Sequence, residues 1–441
     1  MTAVRRNTGA VLLTALAVLL VLVAAGRGDS PSELRRIAGP YAQDLVRWEL
    51  THALDKWLHL ASVPLQGRST DEEDQRAAVA DFFALGEELR RVDAELERTL
   101  AAADGGPRAS EAVAPEAILA QADTLQERRD KLRAAVEETL EATISGVVDE
   151  LGIIRHVGPL RWPPVDFTFE PQALVLVRSP RDAIVRLDDV LLEPGVSVLD
   201  QIALEEGVEG GPDEVSALVV RLGGLATYPA QVIPTGSLHT TLNLASHEWL
   251  HHWLFFRPLG RRWGAGSELQ SVNETVANIA AEEIGDRALE RLTGAAFERE
   301  PWRPRERRPE PPPGVFEFNR EMRVTRLRLE ELLADGRVAD AEAYLEERRL
   351  AFVANGHQLR KLNNAWFAFH GTYADSPAAI GPIEAQLRAI RADAAGLGAF
   401  LDRVSAIAEE GELETMARAA GWPMARAARP IARAALLEDA R

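Results

Sequence analysis

Cysteine is absent from the 441-residue chain. Without a thiol there is no disulfide framework, thiolate zinc site, iron–sulfur cluster, cysteine nucleophile or lipid-modified cysteine. Positive charge is scarce as well: 50 Lys and Arg face 68 Asp and Glu, a net charge of -18. Most of such a surface repels a phosphate backbone, so the composition speaks against a nucleic-acid partner. The densest basic run, Arg303, Arg305, Arg307 and Arg308, lies among prolines and reads as a solvated loop. Histidine is rare, nine in all, yet two at metal-ligand spacing are not decisive by themselves and their surroundings must be weighed. Internal repeats are missing.

The bulk composition is that of a folded protein. With 46% hydrophobic and 27% charged residues the chain is neither disordered nor multi-spanning, and its length suits two or three structural units. Arg5 and Arg6 precede an uncharged run at 9–26, about one bilayer thickness of helix. It predicts a membrane anchor over 1–30, single-pass in the cytoplasmic membrane of a bacterial cell, with the body extracytoplasmic. A cleaved signal segment, with Val23 and Ala25 before the cut, is the alternative.

Residues 31–151 read as a helical region. Helical patterning at 32–60 is followed by a stripe of Val79, Phe82, Leu85, Leu89, Val92, Leu96 and Leu100. A second stripe holds Ile118, Leu125, Leu132, Val136, Leu140, Ile144 and Val147, and Asp104-Gly105-Gly106-Pro107 marks the reversal between them. This predicts an antiparallel helical hairpin. From 152 to 299 short β-rich runs around 160–240 predict a small sheet leading into two helices. The first is capped by Thr240 or Thr241 and ends near 257–260; the second covers 267–285. A Pro/Arg-rich linker at 300–315 and a helical region at 316–441 complete the chain. The fold class is therefore α+β, predominantly α-helical.

The chemistry sits in His247-Glu248-Trp249-Leu250-His251. Histidines at i and i+4 share one helix face, so both imidazoles reach a single Zn²⁺ at about 2.0–2.1 Å. Glu248 is rotated about 100° from His247, which sets its carboxylate beside the ion as a proton acceptor. It is the one formally charged side chain between 242 and 256, on a helix whose apolar neighbours predict burial. His252 points elsewhere and reads as a supporting or surface residue. Glu274 is the best third ligand, in a stretch from 269 to 281 with no other charge. Ser271-x-x-Glu274 is also a capping box, but Ser267-x-x-Gln270 offers the same box a turn earlier and would free Glu274. Glu282 and Glu283 read as solvated helix-end carboxylates, with Glu282 in reserve.

The motif His247-Glu248-x-x-His251, followed after 22 residues by Asn273-Glu274 on a second helix, resembles the gluzincin zinc metallopeptidases, the thermolysin-like proteases and zinc aminopeptidases. The resemblance covers about 45 residues. It implies a zincin-like catalytic core within 152–299, one Zn²⁺ held by His247, His251 and Glu274, and Glu248 as general base. It also implies an edge strand for substrate, for which 225–233 is the candidate. The thermolysin-like pattern has an Asp four residues after the ligand Glu; here Asn278 stands there. Related enzymes place a His or Tyr oxyanion donor downstream, and His370 and Tyr373 are the candidates, with Tyr228 weaker. The reading is a membrane-anchored zinc peptidase acting on peptide or protein substrates. A membrane-tethered helical scaffold or binding protein with a non-catalytic metal site, and zinc-dependent hydrolysis of a non-peptide bond, stay open.

Overall fold

The computed structural model describes residues 33–45, 47–48, 71–103, 115–157, 160–304, 312 and 314–423. The class is α+β with helices predominant. In chain order the helices are α1 (Glu33–Ala38), α2 (Glu72–Ala103), α3 (Pro115–Glu150), α4 (Val198–Glu209), α5 (Leu238–Phe255), α6 (Pro258–Arg261), α7 (Ser267–Thr293), α8 (Phe318–Ala334), α9 (Val338–Ala354), α10 (Asn364–His370), α11 (Ile383–Asp393), α12 (Leu397–Val404) and α13 (Glu412–Ala419). The strands are β1 (Arg155–Val157), β2 (Leu160–Trp162), β3 (Phe167–Phe169), β4 (Leu174–Pro180), β5 (Asp188–Leu192), β6 (Val215–Arg221), β7 (Gly224–Leu225) and β8 (Ala230–Val232).

The expected hairpin is present as α2 and α3, and its two ends do different work. Leu85, Val92, Ile118 and Leu125 pack on one another at one end. At the other, Val79, Phe82, Val136, Leu140, Ile144 and Val147 enter the main core together with Trp249, Leu250, Val276 and Ile279 of α5 and α7. That core also takes Leu387, Phe400 and Leu413 from α11 to α13. The hairpin is thus built into the body that carries the site, and its stripe of every third or fourth residue is what that packing requires.

Three small sheets stand where one was expected. In the antiparallel sheet β5-β4-β6 the period-two alternation buries both faces. Val175, Val177, Leu218 and Val220 meet α8 to α10, while Leu174, Leu176, Ala217 and Val219 meet α1 and α4. The second sheet has the order β3-β8-β7, with β3 parallel and β7 antiparallel to β8. The expected edge strand at 225–233 therefore resolves into an outer strand, β7, and an inner one, β8.

Two sheet edges are closed by carboxylates from helices. Glu141 and Glu137 of α3 accept the backbone N–H groups of Phe167 and Phe169 at 2.9 and 2.6 Å. Glu205 and Glu209 of α4 accept those of Val219 and Ala217 at 2.7 and 2.9 Å. The lengths match: residues i and i+4 rise about 6 Å along a helix, and alternate strand residues lie about 6.6–6.8 Å apart. Cations stand beside three of the four, Arg133 at Glu137, Arg360 and Lys361 at Glu205, and Lys361 at Glu209. Edge β3 is thereby stopped on the side away from β7, and β7 is left against α5.

The membrane expectation is corrected. Among the described residues no helix is long and apolar enough to cross a membrane. The run at 9–26 on which the single-pass anchor and the extracytoplasmic placement rested lies outside the described residues, as does most of 32–60. Neither the anchor nor that location is carried forward.

Candidate metal centre

Helix α5 presents the motif. Its N-cap is Ser237, whose Oγ accepts the Thr240 N–H at 3.3 Å, so the cap lies three residues before the expected Thr240. Trp249, Leu250, Trp253 and Leu254 are almost fully buried and fix the helix by two indole bonds, Trp249 to the Pro163 carbonyl and Trp253 to that of Ile153. Helix α7 begins at Ser267 and runs to Thr293, eight residues beyond its expected end. Ser271 is therefore inside the helix, where its Oγ donates to the Thr372 carbonyl at 2.7 Å. Glu274 has no capping role and is buried in the second turn.

The two helices approach closely because one position lacks a side chain. A Cβ on Gly285 would lie 1.8 Å from Asn243 Oδ1 and 3.2 Å from the Asn243 backbone nitrogen. With that contact open, His247 and His251 face Glu274. His247 Nε2 and His251 Nε2 are 3.0 Å apart, and Glu274 Oε2 lies 3.4 and 3.5 Å from them. These three ligand atoms are the one cluster of metal-binding type among the described residues. A tetrahedral ion with bonds of about 2.0–2.1 Å separates its ligand atoms by roughly 3.3–3.4 Å. Two imidazoles and a carboxylate at about this spacing could hold a single metal ion.

Supporting groups orient two of the three cluster residues. His251 Nδ1 lies 3.0 Å from Asn273 Oδ1, which accepts the ring N–H and leaves the Nε2 lone pair toward the cluster. The Trp263 indole donates to Glu274 Oε1 at 3.2 Å, which leaves Oε2 facing the histidines. Burial disfavours the His251 imidazolium, but the Glu274 charge and hydrogen bond outweigh it and hold the pKa up at about 9. Glu274 is conversely held far below the usual carboxylate range: burial alone would raise it, and the two histidines overcome that. Three negative or lone-pair groups so close want a cation, and in its absence a proton serves.

Glu248 is buried outside the ligand cluster. Burial raises its pKa; His247 and His251 oppose the rise and Glu274 adds to it. Its carboxylate packs against β7, where a Cβ on Gly224 would lie 2.5 Å from Oε1 and 2.8 Å from Cδ. The cluster, Glu248 and β7 open onto a cavity of about 560 Å³ whose walls include Trp162, Leu225, Tyr228, Phe255 and Phe256.

The remaining candidates separate. Tyr373 lines the cavity, its phenol pushed well above its ordinary pKa by burial and by Glu274 and Glu248. His370 is not on that wall but lines an adjoining space of about 430 Å³ with His247, Glu248 and Tyr373, stacked on Trp366 at 4.1 Å with Nδ1 2.9 Å from the Trp366 carbonyl. Tyr228 is on the wall beside His252, which also lines the cavity but is not part of the ligand cluster and donates to the Thr227 carbonyl at 2.7 Å through Nε2. Asn278 does not reach an imidazole; its amide donates to both oxygens of Asp375 at 3.2 and 3.1 Å. Glu282 and Glu283 are corrected too. They lie within α7, paired with Arg388 and Arg391, and Glu282 is no reserve ligand.

Sequence reasoning did not assign Asn273 or Trp263 a role. Asn273 carried a signal, adjacency to Glu274 on a neutral helix, whereas Trp263 sits in the α6–α7 turn with no periodicity to mark it. No family model, curated protein or solved structure matches the chain.

Proposed function

We propose that the chain is a zinc-dependent peptidase of gluzincin type with a zincin-like catalytic core in 152–299. The observation that carries the reading is the convergence of His247, His251 and Glu274 at tetrahedral spacing, with a buried carboxylate one residue from a ligand yet outside the ligand set. Zinc, when bound, supplies Lewis acidity at the scissile carbonyl and lowers the pKa of water toward about 7. Glu248, its own pKa raised by burial, takes up the proton and passes it to the leaving amine. Tyr373 is the oxyanion donor: its phenol stays protonated across the neutral range and lines the cavity with Glu248. His370 is unsuited, because Nδ1–H is committed to Trp366 and burial keeps the ring neutral, leaving Nε2 an acceptor. The outer strand β7 offers backbone groups to an extended peptide.

Two carboxylate variants test this. Glu248→Gln keeps shape and removes the proton acceptor, so hydrolysis should fall by about 10²–10⁴ while bound zinc stays near one equivalent. Glu274→Gln should lose zinc and activity together. Zinc analysis beside peptide cleavage reads both; equal behaviour of the two variants would favour a non-catalytic metal site on a helical scaffold.

A further inference from the structure

The loop before β5 sends Arg186 into the metal cavity. Its side chain is 17% exposed, and it is the one Lys or Arg on the wall of that cavity among the described residues. Asp189, three residues on, accepts from Nε at 2.7 Å and thereby fixes one edge of the guanidinium. The plane is held over two rings, with the guanidinium carbon 5.4 Å from the Phe369 centroid and 6.0 Å from that of Trp263. An arginine serving only Asp189 would be a surface i,i+3 pair of little consequence. This one is drawn inward, near enough to Tyr373 for its charge to act on the phenol. Arg186, Asp189 and Trp263 also border a larger cleft of about 1230 Å³, so the guanidinium stands where the two spaces meet.

A planar fork held by a carboxylate on one edge and by aromatic faces keeps its remaining N–H groups for a ligand. The group that matches two parallel N–H donors is a carboxylate. We propose that Arg186 forms a carboxylate-binding subsite beside the metal cluster, and that the preferred substrate carries a free carboxylate there, either the C-terminal one or an acidic side chain. The proposal deepens the peptidase reading and rests on it for the word substrate. The binding itself stands on Arg186 alone.

The test is calorimetric binding to the full chain, with and without zinc, of three probes. N-acetylphenylalanine offers an α-carboxylate to a cavity with aromatic walls, N-acetylphenylalaninamide removes the charge, and N-acetylglutamic acid α-amide moves it to a side chain. At least one acid should bind about 10- to 100-fold more tightly than the amide, and which acid binds better identifies the source of the carboxylate. Arg186→Met should abolish the preference; Arg186→Lys, which keeps a charge for Asp189, should lose most of it. Equal binding of acids and amide by the wild-type chain, or a preference that survives in Arg186→Met, would overturn the proposal. Acid-selective binding without cleavage of any peptide would instead remove the peptidase reading and leave the subsite standing.

Discussion

Single atoms decide whether the cluster is a metal site. Glu274 is divided, with Oε1 taken by the Trp263 indole and Oε2 turned to the histidines. His251 is fixed by Asn273. Removing such an orienting partner costs metal affinity without touching a ligand, so Asn273→Ala should weaken zinc binding by about 10- to 100-fold in competition with a chelator dye. Protons give a second check. In the metal-free chain the raised His251 favours the fold below its unfolded pKa near 6.5, and that contribution fades as pH rises through about 9. The depressed Glu274 acts oppositely, contributing above the usual carboxylate range and fading as pH falls. Between these limits His251 carries a proton that zinc must displace. Zinc binding at pH 7 should release about one proton, and affinity should climb with pH until about 9. Calorimetry in two buffers of different ionisation enthalpy measures the release; none at pH 7 would contradict the His251 assignment. At this scale the sequence was readable where chemistry repeats along one helix. The i,i+4 histidines and the neutral stretch around Glu274 were visible, but Trp263 and Arg186 act through contacts that no spacing records. Glu282 was misread because its partner, Arg388, is 106 residues away.

Elements set the distances between those atoms. Helices α5 and α7 cross where Gly285 admits Asn243, and the outer strand β7 meets Glu248 where Gly224 has no side chain to block it. Helix α7 starts at Ser267 as expected, but its cap is Gly266 and no side chain bonds the cap, so the Ser267-x-x-Gln270 box is not formed and Glu274 is simply left inside the helix. The start of α5 was misplaced because three hydroxyl residues, Ser237, Thr240 and Thr241, compete for one cap and only the turn geometry chooses. The carboxylate pairs on α3 and α4 were invisible in the sequence, since a glutamate on an amphipathic helix ordinarily marks the solvent side. Their role is testable. Glu141→Ala removes the buried acceptor of the Phe167 N–H and should destabilise the chain by about 1–3 kcal/mol in denaturant titration, whereas Glu141→Gln, which keeps an acceptor, should cost less. Equal losses would show that the acceptor does not matter.

For the whole molecule, periodicity forecast a predominantly helical α+β chain and its helical hairpin, but not how the parts meet. One core gathers residues from the hairpin, from α5 and α7, and from the last helices, so the two helices that carry the cluster are braced from both sides of the sequence. Such long-range packing leaves no mark on local pattern. The N-terminal run at 9–26, whose apolar length suggested a membrane span, lies outside the described residues, and no described helix is long and apolar enough to cross a membrane. The site nevertheless brings together a candidate metal cluster, a separate buried carboxylate and a walled cavity, and the proposed function makes one demand of these parts. The zinc-loaded full chain, incubated with a diverse peptide library and read by mass spectrometry, should yield cleaved products that a chelator abolishes and added zinc restores. A chain that holds one equivalent of zinc and leaves every peptide in the library intact would contradict the account.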